Sequence, residues 1–135
     1  MIPKFRAWLK ETKTMHEVTS IDFHNESVNV KDNPIGMPFH HYDEDGNAIL
    51  MQSTGLHDKN GVEIFEDDVV KNGGEYWHCI FKVTSFKLVR RKYKTADDGT
   101  RYFDFYSPTQ YTSYKEFSQC EVVGNIYENP ELLEQ

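Results

Sequence analysis

Apolar residues along this chain recur at every second position in short runs, and polar clusters interrupt the runs before a helical period can establish itself. Between Lys4 and Leu9, Phe5, Ala7 and Leu9 alternate with charged or polar neighbours except at Trp8, and a second run, Met15 to Ile21, follows Lys10-Glu11-Thr12-Lys13-Thr14. Ile21-Asp22-Phe23 and Val28-Asn29-Val30 keep the period of two around His24-Asn25-Glu26-Ser27, so the chain opens as a meander of three or four strands. The clearest strand is Tyr76 to Val83. There Trp77, Cys79, Phe81 and Val83 fall on one face, and Tyr76, His78, Ile80 and Lys82 on the other. Strands are expected near 62–71, 76–85, 86–94, 101–106 and 120–127, and together they are read as a small five-stranded barrel of SH3-like size. The fold class is therefore mainly β, a β-rich α+β chain.

The turns carry recognisable chemistry. Asp43-Glu44-Asp45-Gly46 and Asp58-Lys59-Asn60-Gly61 share one plan, an Asp that accepts backbone N–H groups ahead of it and a Gly three residues later that takes positive φ. Asn72-Gly73-Gly74 predicts a tight hairpin before Tyr76, and Asp97-Asp98-Gly99 a further turn before Tyr102. Helix is scarce: Ser113-Tyr114-Lys115-Glu116 has capping-box spacing for a turn or two over Tyr114 to Ser118, and Asn129-Pro130 caps a brief C-terminal helix docked by Leu132 and Leu133. Pro34, Gly36 and Pro38 interrupt any ladder and mark the expected joint in a single domain with sub-lobes near 1–50 and 51–135.

Composition narrows the classes. At 135 residues one core is the default, and the 14% aromatic content argues against disorder. A net charge of −7 disfavours whole-molecule attraction to phosphate. The charge is segregated, however. From Tyr76 to Ala96 there are six basic residues and no acid, so the remaining 114 residues carry −7 − 6 = −13. Cys79 and Cys120 lie 41 apart with no metal-ligand spacing, and no apolar run approaches a membrane span; a cytoplasmic protein with reduced thiols and no membrane association is the expectation.

For chemistry, His40 and His41 precede Asp43 and Asp45, a His/Asp cluster of the kind that binds metal when ligands converge. Adjacent strand residues point to opposite faces, so exposed loop polarity is the stronger reading, and no metal and no cofactor are expected. His16, His24, His57 and His78 are scattered and read as solvated or hydrogen-bonded surface residues. No nucleophile elbow, Walker loop or dinucleotide fingerprint is present, so no catalytic residue is assigned and a non-enzymatic protein is expected. Lys87, Arg90, Arg91, Lys92, Tyr93 and Lys94 interleave charge and aromatic rings, which suits single-stranded nucleic acid; the same basic stretch equally suits self-assembly, with Arg90, Arg91 and Lys92 set against Glu63, Glu66, Asp67 and Asp68 of a neighbouring copy.

Two blocks carry a family resemblance: Met51 to Val70, MQSTGLHDKNGVEIFEDDVV, and Val122 to Leu133, VVGNIYENPELL. Both resemble the YopX-like family of small phage and prophage proteins, and KFRAWLKETKTMHEV is similar to the family's opening hairpin; Tyr76 to Gln119 matches poorly. Where the family tends to Ile-Tyr-Glu-Gly-Asp-Ile-Val, this chain has Phe65 for Tyr and Asp67 for Gly, and Ser53 stands where the family tends to Tyr. Asp68 is read as holding the turn by hydrogen bonds. The resemblance implies an accessory protein of a bacterial host's phage or prophage that works through protein partners, itself included, and it implies no reaction.

Overall fold

The computed structural model describes residues 4–40, 46–82, 85–90, 93–103, 110–112 and 114–134. Contacts divide the chain into two compact units, Met1–Ser53 and Thr54–Gln135. In the first unit the opening hairpin joins β1 (Phe5–Leu9) to β2 (Thr14–Asp22), with Ala7 opposite His16 and Leu9 opposite Thr14. β3 (Ser27–Val30) pairs with the far half of β2 across a bulge between Val18 and Ser20, and the two-residue β4 (Phe39–His40) lies beside β3. On the other side of β1 runs β5 (Ala48–His57), where Ala7 faces Leu50 and Leu9 faces Ala48. The period of two does what the pattern demands: Ala7, Leu9, Val28, Val30, Phe39 and Ala48 form one buried cluster, with Val18, Ile21 and Leu50 packed against it.

In the second unit β6 (Glu63–Phe65) lies beside the end of β5, where Thr54 Oγ1 donates to Ile64 O at 2.6 Å. The other strands are β7 (Asp68–Asn72), β8 (Glu75–Lys82), β9 (Ser85–Arg90), β10 (Tyr93–Thr95), β11 (Arg101–Phe103), β12 (Gln110–Thr112) and β13 (Glu121–Asn125). Five of them make an antiparallel sheet in the order β12-β9-β8-β7-β13. The expected five-stranded barrel is thus corrected to a five-stranded sheet, with no closed barrel among the described residues. The strand at Arg101–Phe103 does not join that sheet. It pairs with β10 as a separate two-stranded ribbon around the Ala96–Thr100 turn, and β12 takes the place beside β9.

The β7–β8 turn is the two-residue loop expected of Asn72-Gly73-Gly74. Gly73 and Gly74 sit at φ +62° and +83°, the positive values of a type I′ hairpin, which suits the right-handed twist of the flanking strands. Its register sets Val70 opposite Trp77, and β9 adds Leu88 opposite Cys79; with Ile64, Phe117 and Cys120 these make the second core. The opposite face of the same strands is closed as well, since Val69, His78 and Val89 are each 2% exposed or less. The two short helices are both 3₁₀: Tyr114–Gln119 packs on β9, and Pro130–Glu134 packs on β8 with Leu133 buried. Ser113, the expected cap of the first, lies outside the described residues. Asn129 does not cap the second with its side chain; Oδ1 turns back to accept Asn125 N–H at 3.3 Å.

Cys79 and Cys120 share the second core, yet the register keeps them apart. Cys79 falls one position beyond the His78–Val69 pair, and Cys120 one beyond the Glu121–Lys71 pair. Four residues along β7 and two strand spacings across place their Cα atoms roughly 15 Å from each other, beyond the ~7 Å a disulfide spans. Both are free thiols.

Candidate functional site

The densest polar cluster grows out of the corner between β6 and β7. Phe65 N–H donates to Asp68 Oδ2 at 2.7 Å, so the Asp68 carboxylate closes the Glu66-Asp67 turn from inside, as the sequence suggested, and it is only 2% exposed. That closure leaves Asp67 at φ +69°, a left-handed conformation that Asp tolerates better than most residues and Gly tolerates at no cost. Asp67 then makes four bonds. Its N–H donates to Cys79 O at 2.8 Å, and its carbonyl accepts Ile126 N–H at 3.0 Å. Oδ1 lies 2.9 Å from His78 Nε2, and Oδ2 accepts the Tyr127 hydroxyl at 3.1 Å. A carboxylate accepts, so Nε2 carries the proton in that pair.

His78 is therefore neither solvated nor at the surface. Its side chain is 2% exposed against 18% for Asp67, because the face of the sheet that carries it is buried. A His–Asp–Tyr set has the elements of proton-transfer chemistry; here it ties the turn before β7, β8 and the segment after β13 together, with the imidazole buried. Replacing Asp67 by Gly is expected to cost about 2 kcal/mol net, because two bonds to a charged acceptor outweigh the ~1–2 kcal/mol of relieved left-handed strain. Equilibrium urea unfolding of Asp67→Gly beside Tyr127→Phe, the latter losing about 1 kcal/mol, measures both; a Gly variant as stable as the parent would show that the bonds contribute nothing.

A second cluster centres on Asp58. Oδ1 accepts the N–H groups of Asn60 and Val62 at 2.8 and 2.9 Å, and Oδ2 accepts Val122 N–H, 64 residues away, at 2.8 Å. Lys59 N–H donates to Cys120 O at 3.0 Å beside it. Asn125 completes the edge, its Oδ1 accepting the N–H groups of Tyr127 and Glu128 in an Asx turn. The blocks 51–70 and 122–133 are thus one structural object, joined by β7–β13 pairing and by both aspartates. No sequence signal connected Asp58 to Val122 or Asp67 to His78, since both pairs depend on strand order.

The nominated basic residues are not gathered into a described patch. Lys87 is half-buried on β9 opposite Ile80; Arg90 ends β9 opposite Gln110; Tyr93 and Lys94 lie on β10 opposite Phe103 and Tyr102; Arg91 and Lys92 lie outside the described residues. Of the nominated acids, Glu63 and Glu66 are half-buried at the β6–β7 corner, whereas Asp67 and Asp68 are committed to the internal bonds above. His40 closes β4, and His41, Asp43 and Asp45 lie outside the described residues; among those described, no three His, Cys, Asp or Glu residues converge as metal ligands. No described helix is long and apolar enough to cross a membrane.

Among the described residues, a six-stranded and a five-stranded antiparallel sheet, a two-stranded ribbon, two 3₁₀ helices and a pair of aspartate-centred clasps define a small β-rich class of protein. The chain belongs to the YopX family, whose YopX protein model matches residues 4–134. It is similar over 99% of both chains to the crystal structure of protein EF1440 from Enterococcus faecalis, with 30% identity and a TM-score of 0.60. No curated protein matches.

Proposed function

We propose that this protein is a non-enzymatic accessory protein of phage or prophage origin that acts by binding protein partners and assembles with copies of itself. The observation that carries the reading is the segregation of charge, six basic residues and no acid over Tyr76–Ala96 against −13 on the rest. Such a chain attracts its own copies head to tail, with Arg90, Arg91 and Lys92 against the Glu63 and Glu66 corner of the next. Large apolar side chains exposed in the second unit, Val62 at 47% and Phe81 at 50%, add contact area of the kind interfaces use. Membership in the YopX family and the likeness to a bacterial protein support the setting.

Light scattering at low and high salt tests this. The mass at low salt is expected to be a multiple of 15.9 kDa and to fall as ionic strength rises, because exposed charges are screened beyond about 10 Å at 0.1 M salt. Charge reversal at Arg90, Arg91 and Lys92 is expected to leave a monomer at both. A monomeric parent at every salt would end the reading. An oligonucleotide titration that the same charge reversal abolishes would replace it with single-strand binding through Lys87, Arg90, Arg91, Lys92, Tyr93 and Lys94.

A further inference from the structure

The chain writes one tripeptide into two turns, Lys59-Asn60-Gly61 and Lys71-Asn72-Gly73. An asparagine followed by glycine can lose its side-chain amide. The glycine nitrogen attacks the asparagine Cγ, giving up its proton; the bond from Cγ to the side-chain nitrogen breaks, ammonia leaves, and a five-membered succinimide remains. Water then adds to either ring carbonyl, which yields aspartate or the isomer whose backbone runs through the side-chain methylene. Water is the one co-reactant. The preceding residue and the attacking glycine are the same at the two sites, so a difference between them in the folded protein reports the fold.

At Asn60 the attacking nitrogen is already engaged. Gly61 N–H donates to Asp58 O at 3.1 Å, and Asp58 Oδ1 holds the N–H groups on either side of it, those of Asn60 and Val62. Through Oδ2 and Val122 the whole turn is anchored to β13. Asn60 can reach the cyclic geometry only after that clasp opens. The second turn is held differently: Asn72 and Glu75 form the last pair of the β7–β8 ladder, so Gly73 lies beyond the hydrogen-bonded register and is exposed. A Cβ built on Gly73 or on Gly61 would meet nothing within 4 Å, so open space does not separate the sites. Engagement of the nitrogen does. Two consecutive glycines also let the Asn72 loop change conformation at little cost.

We infer that Asn72 is a site of spontaneous deamidation and that Asn60, with the same neighbours, is protected by Asp58. Conversion places a carboxylate next to Glu75 and takes the net charge from −7 to −7 − 1 = −8. The isomerised product also lengthens a two-residue hairpin whose register sets Trp77 and His78 opposite Val70 and Val69.

Peptide mapping by mass spectrometry after incubation of the folded protein in mildly alkaline buffer tests the inference, with a parallel sample in concentrated urea. In the folded protein Asn72 is expected to convert about tenfold faster than Asn60, the rate factor represented by one hydrogen bond held by the reacting nitrogen. In urea the two are expected to convert alike. Asn60 keeping pace in the folded protein, Asn72 failing to convert, or a difference that persists in urea would each overturn it.

Discussion

Replacing Asp58 by alanine is expected to cost about 3 kcal/mol of stability, the largest loss expected from any single turn position among the described residues. Three backbone N–H groups lose a charged acceptor at once, and hydrogen bonds to charged groups contribute ~1.5–3 kcal/mol each before relaxation and water recover part of it. Asp58 itself is 5% exposed, so the carboxylate sits inside the turn it holds. The effect carries a pH signature. Burial alone would raise the Asp58 pKa, but the N–H groups of Val122, Val62 and Asn60 and the nearby Lys59 charge outweigh it, so the carboxyl titrates below its ordinary value. A group with a lower pKa in the folded state is protonated more readily in the unfolded chain. Its contribution is therefore whole above the unfolded value near 4 and fades as pH falls through the folded value. Urea midpoints should separate parent from Asp58→Ala at neutral pH and converge below about pH 4; a constant gap across that window would mean that the charge is not what holds the turn.

Gly124→Ala is expected to lose about 2 kcal/mol for a steric reason. Gly124 sits in the bulged stretch of β13 opposite Val69, and a Cβ there would overlap the Asn129 side chain, whose Cγ would lie 2.7 Å from it. Asn129 cannot swing away freely, because its Oδ1 accepts Asn125 N–H and its own N–H donates to Asn125 O at 2.9 Å. Overpacking of this kind costs ~1–3 kcal/mol. A double-mutant cycle isolates the cause: in an Asn129→Gly background the added methyl should cost at most a few tenths of a kcal/mol. Equal losses in both backgrounds would place the strain in the backbone of the bulge instead.

The reach of the sequence follows from how local each feature is. The turns at Asp58-Gly61, Asn72-Gly74 and Asp97-Gly99 were legible because Asp acceptors and positive-φ glycines act within four residues, and the structure shows those bonds. The opening hairpin was legible because its core face alternates cleanly around Trp8. His78 was misread because alternation implies one wet face, whereas this sheet buries both, and the sequence does not say what covers the second. The barrel failed at Arg101–Phe103 for a related reason. A strand-like run declares its pleat but not its neighbour, and here that neighbour is β10 and not β9. Of the candidate sites, the acids at 66–68 were nominated as a contact surface, and the bonds of Asp67 to His78, Tyr127 and Ile126 were not foreseen, since these join residues 11 to 60 positions apart.

The span of the Asp58–Val122 clasp has a consequence during synthesis. At roughly 5–20 residues per second, a ribosome needs about 3 to 13 seconds to add the residues between the aspartate and its distant donor. Until Val122 is added, β7 has no β13 beside it, and the backbone N–H and C=O groups along that edge of Val69-Val70 stay unpaired. Slow translation across the middle of the message would prolong this vulnerable state, which makes holdase chaperones a sensible co-expression choice for recovering intact protein.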